Sequence, residues 1–293
     1  MNIWLRVCCL FLATSTVLKS ASGQVSPTPD PVSATPTPTG PLSVYPLDAV
    51  VDKQGTAFVV DRNLPGIWKY QADELSVFVQ GAKRFRTPLN AVRCIALDHE
   101  GKLLVGDSAT RDVYRISDDG KAKPITGGEI GIPMDIAVKS DGTIYVADIE
   151  LRKLVRIPPG SKKVEFVAAV NPRGVFVDHE NKVWVVSQDP QQLQIVGDDG
   201  KSEVVVDQRI FEFPHQVVVN SKGEAFVSDG YKKAIWKVIR GKPPEIVVEG
   251  APMDNPVGLC LFDDQVLVID PRAAKVLRLT SEHKLETWFD VKR

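Results

Sequence analysis

The sequence has few of the residues that build metal centres and disulfide frameworks. It contains four cysteines and four histidines in 293 residues, and no set of them has the spacing of a zinc site. Cys8 and Cys9 fall in an N-terminal apolar stretch, so only Cys94 and Cys260 belong to the body of the chain. An exported protein could oxidise this pair, but both lie in apolar runs, which favours two buried thiols. We therefore expect no metal and no cofactor.

A concentrated charge of one sign is also missing. The chain has 36 Lys and Arg against 37 Asp and Glu, a formal net charge of −1, and its basic residues alternate with acids. Proteins that bind nucleic acid through phosphates need clustered Lys and Arg, which release counterions. This pattern excludes such a surface, and we expect no nucleic-acid partner.

The sequence lacks an apolar run long enough to cross a membrane. Residues 1–23 hold Arg6, then an apolar stretch, then small residues at 21–23. Lys19 ends the uncharged stretch well short of the about 20 residues that a spanning helix needs. A basic start, a short apolar core and small residues indicate a secretory signal peptide cleaved after Gly23. We therefore expect an exported protein, secreted or periplasmic, with no membrane span.

Residues 24–42 consist almost entirely of Pro, Thr, Ser and small residues. Such a tract has too little apolar surface to offset the entropy lost on ordering, so it predicts a disordered spacer. Pro-rich chains favour extended conformations and act as semi-rigid spacers. Two interpretations stay open: a stalk that holds the body away from a surface and carries O-linked sugars, or a plain disordered leader.

The body, residues 43–293, consists of six copies of one unit of about 40 residues. The copies begin at Pro46, Val92, Pro133, Pro172, Pro214 and Pro256. Each contains an apolar run, a tight turn, a second apolar run, a polar loop and two further apolar runs. The first turn holds Gly or Asn in five copies, as tight hairpins require. The sixth copy is one residue shorter at Asp263 and Asp264, which predicts a different turn.

The second apolar runs are rich in Val, Ile, Phe, Tyr and Trp and show little alternation, which is typical of strands buried on both faces. Four antiparallel strands per copy predict a twisted blade that stacks on its neighbours. The predicted fold is therefore all-β, a six-bladed β-propeller of four-stranded antiparallel blades, and we expect a monomer. An open solenoid would need altered end copies, which are not present. The last blade either supplies all four of its strands or takes one from residues 42–45.

The order of residues within the copies resembles the NHL repeat. The third copy carries the fullest match, at Pro133, 136–138, Gly142, Tyr145, Asp148 and Arg156. The resemblance covers about residues 46–293 and implies the propeller fold. Similar propellers serve as binding platforms, as extracellular sensors and as scaffolds of the gluconolactonase/senescence-marker family of metal-dependent hydrolases. The sequence departs from the pattern at Val92, where Pro is usual, and mostly lacks an Asn before the basic residue.

A polar residue that occurs once at an equivalent repeat position is a better functional candidate than one that recurs. Five copies end the second strand in Asp, which predicts a structural role in the following turn. The fourth copy has Ser187 there. Because the first two strands are antiparallel, the second residue of each copy should ring the mouth of the central channel. These six residues are Leu47, Arg93, Met134, Arg173, His215 and Val257. The next position adds Asp48, Asp135 and Gln216.

Arg93, Arg173, His215, Ser187, Asp48 and Asp135 are the predicted ligand-binding residues. Arg presents a fork of donors that suits carboxylates and phosphates, so Arg93 and Arg173 predict an anionic ligand. The alternative is that both arginines pair with Asp48, Asp135 and the strand-ending acids. His215 could be a metal ligand or a general base, for example in a lyase, whereas His99, His179 and His283 are predicted to lie on the surface.

The resemblance also implies a second function, a lactonase or other hydrolase like the gluconolactonase relatives. Those enzymes hold a divalent cation with a carboxylate and Asn residues at the inner strand starts. This ring offers two guanidiniums, which repel a cation, and hard cations need oxygen ligands. The sequence therefore favours an exported binding or sensor module, for a small anion or a protein, over a metal-dependent hydrolase. Catalytic residues are not identified.

Overall fold

The computed structural model describes residues 43–84 and 86–292. The predicted signal peptide and spacer, residues 1–42, lie outside these ranges. The described residues form 24 β-strands in six antiparallel sheets of four, and each sheet is made from one repeat. None of their segments is a helix that is long and apolar enough to cross a membrane. The predicted six-bladed propeller of four-stranded blades is confirmed.

Every blade takes its four strands consecutively from the chain. Blades one and two contain β1 (Pro46–Val51), β2 (Ala57–Asp61), β3 (Gly66–Gln71), β4 (Glu74–Gln80), β5 (Val92–Leu97), β6 (Leu103–Asp107), β7 (Asp112–Ile116) and β8 (Ala122–Pro124). Blades three and four contain β9 (Pro133–Val138), β10 (Ile144–Asp148), β11 (Lys153–Ile157), β12 (Glu165–Ala168), β13 (Pro172–Val177), β14 (Val183–Ser187), β15 (Leu193–Val196) and β16 (Ser202–Val206). Blades five and six contain β17 (Pro214–Val219), β18 (Ala225–Asp229), β19 (Ala234–Val238), β20 (Glu245–Glu249), β21 (Gly258–Phe262), β22 (Gln265–Asp270), β23 (Lys275–Leu279) and β24 (Leu285–Asp290).

The second strand of each blade is buried on both faces, and β10 illustrates why. All five of its residues are buried. Tyr145 and Ala147 pack into a core shared with blade four, whereas Ile144 and Val146 pack into a core shared with blade two. A strand that serves two cores needs apolar side chains on both faces, which explains the uninterrupted apolar runs in the sequence.

The ring closes without an exchanged strand. Blade six is completed by its own β24, and residues 43–45 precede β1 without forming a strand. An aromatic cluster holds blades one and six together: Tyr70 stacks on Phe289 with ring centres 3.9 Å apart, and Trp288 meets Tyr70 edge-on at 5.6 Å. The first of the two closures left open by the sequence is therefore the observed one.

The strand-ending aspartates bind backbone amides, as predicted. Asp148 accepts hydrogen bonds from the N–H groups of Gly131 at 2.6 Å, Ile132 at 3.2 Å and Leu151 at 3.0 Å. These bonds fix the loop after β10 to the segment that enters β9. The equivalent residues of four other blades bind in the same way: Asp61, Asp107, Asp229 and Asp270.

Two further details follow the sequence. Asp263 and Asp264 of the shortened turn have φ angles of 48° and 65°, the two-residue geometry of a tight hairpin. Cys94 and Cys260 are buried and form no disulfide. His99, His179 and His283 are exposed, as expected.

Candidate functional site

The mouth of the channel is a cavity of about 320 Å³ at the start of the first strands. All six residues predicted to ring the mouth line this cavity: Leu47, Arg93, Met134, Arg173, His215 and Val257. The remaining lining residues are Tyr45, Arg62, Ile132, Ile149, Gln216 and Asn255. The predicted convergence of Arg93, Arg173 and His215, which lie far apart in the sequence, is therefore observed.

In blades one, two and four, a backbone irregularity directs the second residue of the first strand to the mouth. In blade one the pairing register with β2 shifts between Pro46 and Asp48, so Leu47 is left without a partner residue. Blades two and four show the same shift around Arg93 and Arg173. An extra residue in one strand of a pair re-aims a side chain, and here it separates the mouth layer from the layer beneath it.

Three arginines of the mouth have no acidic partner. The arginine ion pairs of the described ranges involve other residues: Arg111, Arg115, Arg152, Arg156 and Arg240. Arg93 Nη1 instead lies 3.8 Å from Sδ of Met134. The Nε atoms of Arg93 and Arg173 are buried without a hydrogen-bond partner. Among the described residues, Arg62, Arg93 and Arg173 therefore form no ion pair, and the alternative in which Arg93 and Arg173 pair with Asp48, Asp135 and the strand-ending acids is not observed.

The electrostatics of the mouth favour an anion. Burial lowers the pKa of Arg93, and the charge of Arg62 lowers it further. Burial also lowers the pKa of Arg173, with a contribution from Arg93. A guanidinium nevertheless stays charged at neutral pH. The lowered pKa values thus reflect the free-energy cost of holding like charges together in a partly dry site, and a bound anion would remove that cost.

His215 is a neutral group in this positive environment. Burial lowers the pKa of His215 to about 3, and the charge of Arg173 contributes. Its ring meets the edge of Phe213 with centres 4.9 Å apart. A neutral imidazole has one N–H donor and one acceptor nitrogen, so His215 can donate one hydrogen bond to an anion. With so low a pKa it is a poor general base at neutral pH.

Asp48 and Asp135 occupy the layer beneath the mouth. Asp48 accepts hydrogen bonds from the N–H of Ala49 at 2.8 Å and from the N–H of Ile95, in the next blade, at 2.9 Å. Asp135 binds its own blade and blade four in the same way. Both acids line a second cavity of about 320 Å³, whose other walls are mostly apolar. Each carboxyl therefore bridges two blades, and neither lines the mouth cavity.

Gln216 is the third bridge of this layer. Its Oε1 accepts a hydrogen bond from the N–H of Leu259 in blade six at 2.5 Å, and its Nε2 donates to Oδ1 of Asp135 at 3.2 Å. The corresponding residues of the even-numbered blades are small: Cys94, Gly174 and Gly258. A Cβ on Gly174 would lie 2.7 Å from Cα of Gln216, so no larger residue fits there. Large polar and small residues thus alternate around the channel, and we call Asp48, Asp135 and Gln216 the bridging layer.

The bridging layer is not built as a metal site. Burial raises the pKa of Asp48 to about 7, and burial together with the charge of Asp48 raises the pKa of Asp135. Each of the four carboxyl oxygens already accepts a backbone hydrogen bond. Across residues 43–84 and 86–292 there is no cluster of three or more His, Cys, Asp and Glu side chains that could hold a metal ion.

Ser187, the remaining predicted candidate, is buried at the end of β14 and is not part of the mouth lining. Its Oγ donates to the carbonyl of Gln191 at 3.1 Å and accepts from the N–H of Asp189 at 3.2 Å. These contacts hold the loop that follows β14. Ser187 therefore replaces the usual aspartate in a local structural role.

Arg62 is absent from the residues predicted above, although the sequence contains a signal for it. It directly follows the strand-ending Asp61. The other copies have uncharged residues at this position: Ser108, Ile149, Gln188, Gly230 and Pro271. The rule that selected Arg93 and Arg173, a polar residue unique among equivalent positions, would have found Arg62 as well.

No protein-family model matches the chain, and no curated protein is significantly similar to it in sequence. Its fold is similar to those of solved structures. Selenomethionine-substituted virginiamycin B lyase from Staphylococcus aureus has a TM-score of 0.64 at 14% identity, covering 83% of this chain and 84% of that chain. A catalytically inactive variant of that lyase with quinupristin has a TM-score of 0.66 at 14% identity, covering 85% of each chain. A chain of a nidogen/laminin complex has a TM-score of 0.66 at 14% identity, covering 76% and 90%. These similarities establish the propeller fold, and they do not establish membership of the NHL or gluconolactonase families.

Proposed function

We propose that this protein is an exported binding or sensor module whose channel mouth takes an anionic ligand with a carboxylate or phosphate group. One observation carries the proposal: Arg62, Arg93 and Arg173 line one cavity, and none of them has an acidic partner within residues 43–84 and 86–292. Arg62 is exposed, whereas Arg93 and Arg173 are partly buried. Unpaired buried charge is costly, and a protein that keeps it gains only when a counter-charge arrives. A fold neighbour that occurs in a protein complex, nidogen/laminin, supports the use of such a propeller as a binding platform.

The proposed binding mode uses donors from several blades. Arg93 and Arg173 donate charge-assisted hydrogen bonds to the anion, which are roughly twice as strong as neutral ones. His215 and Asn255 also line the cavity and offer neutral donors. The apolar parts of the wall lower the local dielectric constant and strengthen these contacts.

A titration tests this proposal. Citrate and inorganic phosphate are titrated into the protein at low ionic strength by isothermal calorimetry. Arg93→Ala and Arg173→Ala should each weaken binding about tenfold or more, the loss of a charged hydrogen bond of about 1.5–3 kcal/mol. Arg240→Ala is the matched control, because Arg240 lies in the turn between β19 and β20, on the opposite face, and forms an exposed ion pair with Glu203 of blade four. Equal affinities of wild type and both mouth variants would contradict the proposal.

The second candidate is an enzyme with its active site at the same mouth. Two fold neighbours are forms of a lyase, and His215 lies in the mouth cavity, which is the observation in favour. The low pKa of His215 argues against a general base there. For a metal-dependent lactonase, Asp48 and Asp135 would have to give up backbone hydrogen bonds. Melting temperatures after EDTA treatment, with and without calcium, manganese or zinc, decide this point: a metal-dependent rise would favour the hydrolase.

A further inference from the structure

An aromatic stack leads from the mouth cavity to the surface. The guanidinium of Arg173 lies 4.6 Å from the ring centre of Phe213. Phe213 in turn stacks on Tyr231 at 4.6 Å, with ring planes 21° apart. Tyr231 is 70% exposed, more than any other large hydrophobic side chain of the described residues. We call Arg173, Phe213 and Tyr231 the aromatic ladder, because two contacts of equal length connect the charged guanidinium at the cavity to the exposed ring of Tyr231.

The repeat does not demand this ladder. Tyr231 lies in the loop between β18 and β19, on the mouth face. The equivalent positions of the other blades hold no aromatic residue: Asn63, Ala109, Glu150, Asp189 and Arg272. A fold requirement would recur from blade to blade, so the exposed ring of Tyr231 has another cause. Tyr and Arg are also the residues that most often dominate the energy of binding sites.

Gly230 keeps the cavity and the ladder connected. A Cβ at this position would lie 2.9 Å from Nε2 of His215 and 2.8 Å from Oδ1 of Asn255. Both of these residues line the mouth, and the next residue along the chain is Tyr231. The absence of a side chain at Gly230 therefore lets His215 and Asn255 pack directly against the backbone next to Tyr231, so the wall of the mouth adjoins the aromatic ladder.

We propose that the ligand of the mouth is an aromatic anion: its carboxylate or phosphate binds Arg93 and Arg173, and its ring stacks on Tyr231. This inference rests on the proposed function and specifies its ligand class. The outer face of Tyr231 then becomes the third step of the ladder. The ring of the ligand then lies roughly 14 Å from the guanidinium of Arg173, because the outer face of Tyr231 adds a third step of similar length to the two existing steps of 4.6 Å.

A series of carboxylates tests the inference. ω-Phenylalkanoates from phenylacetate to 12-phenyldodecanoate are titrated beside the matching ω-cyclohexylalkanoates, which are similarly apolar but cannot stack. We expect the phenyl acids of the best length to bind about threefold to tenfold tighter than their cyclohexyl partners. Tyr231→Ala should bring that ratio to about one, and Tyr231→Phe should keep it. Phe166→Ala is the control, since Phe166 is also an exposed aromatic, 59% accessible, but lies in blade three.

The outcomes separate the two proposals. If citrate binding depends on Arg173 but the phenyl to cyclohexyl ratio is one at every length, the aromatic ligand is overturned and the anion site stands. If no anion binds, both fail. A second arm uses the blocked peptide acetyl-Phe-Gly-Glu-amide. If only the free acids bind in a manner that depends on Tyr231, the ligand is a free acid; if only the peptide does, the ligand is a peptide. If binding depends on Tyr231 in neither arm, the inference is overturned.

Discussion

The mouth and the bridging layer are neighbouring parts of one channel, and they differ in whether their polar side chains have hydrogen-bond partners. Arg93 and Arg173 stand at the second position of their first strands, while Asp48 and Asp135 stand at the third. Each acid uses one oxygen in a backbone hydrogen bond within its own blade and the other in a backbone hydrogen bond to the next blade, whereas the arginines have Nε atoms without a partner among the described residues.

This difference separates structural polarity from functional polarity. A buried polar group whose hydrogen bonds are complete stabilises the fold, and its removal leaves its former partners without a hydrogen bond. A partly buried charged group whose hydrogen bonds are incomplete lowers the stability of the protein without its ligand. We therefore assign the bridging layer to stability, and for the mouth we keep the proposal of ligand binding.

The largest expected effect comes from removing a bridging acid. Asp135→Ala leaves the N–H groups of Ile136 and Val175 without their acceptor. The free energy of unfolding should fall by about 2–4 kcal/mol, because each buried unsatisfied donor costs about 1–3 kcal/mol. Arg93→Ala should change it by less than about 1 kcal/mol. Urea unfolding of both variants, with the half-exposed Asp189→Ala as control, measures the contrast; equal losses at Asp135 and Arg93 would remove it.

The pH dependence of stability sharpens the same contrast. The pKa of Asp48 is raised from 3.8 to about 7 in the folded protein, so the native state keeps a proton that the unfolded state releases. The resulting stability is fully present below about pH 4 and is lost as the pH rises through about 7. The difference in unfolding free energy between wild type and Asp48→Asn should therefore shrink by roughly 3 kcal/mol from pH 4 to pH 8. Urea titrations across this range measure it, and a constant difference would show that Asp48 is charged throughout.

The smallest expected effect concerns His215. Removal of the Arg173 charge should raise the pKa of His215 from about 3, because that charge is the second cause of its low value, after burial. The chemical shift of the imidazole Cε1 proton, followed by NMR against pH, reports this change. Arg240→Ala should leave the pKa of His215 where it is. Saturating citrate should act in the same direction as Arg173→Ala if the anion lies beside Arg173.

The propeller could be predicted from the sequence because the same pattern of apolar runs and turns occurs in all six repeats. Tyr145 and Ile144 illustrate this, since a doubly buried strand has an unmistakable apolar composition. The ring of mouth residues could also be predicted, because the number of the repeat gives the position around the axis. In both cases the pattern lies within a single repeat, and the same interpretation applies to all six repeats.

The depth of the acids could not be predicted in the same way. Leu47 and Asp48 are adjacent in the sequence, and the register shift between Pro46 and Asp48 decides which of them lines the mouth and which lies beneath it. The bridges to Ile95 and Leu259 also cross between blades, and a repeat pattern is silent about contacts between copies. The alternation of large residues with Cys94, Gly174 and Gly258 was the available signal, but it appears only when alternate copies are compared.

The even number of strands in each blade has a practical consequence. Because every blade starts and ends at the mouth face, the described chain both enters the propeller at residue 43 and leaves it at residue 292 on that face. An affinity tag or a sensor chip coupled at residue 43 would stand beside the mouth and shield it, because Tyr45 lines the mouth cavity. A handle in the turn between β11 and β12, for instance at the half-exposed Ser161, would present the mouth outward instead.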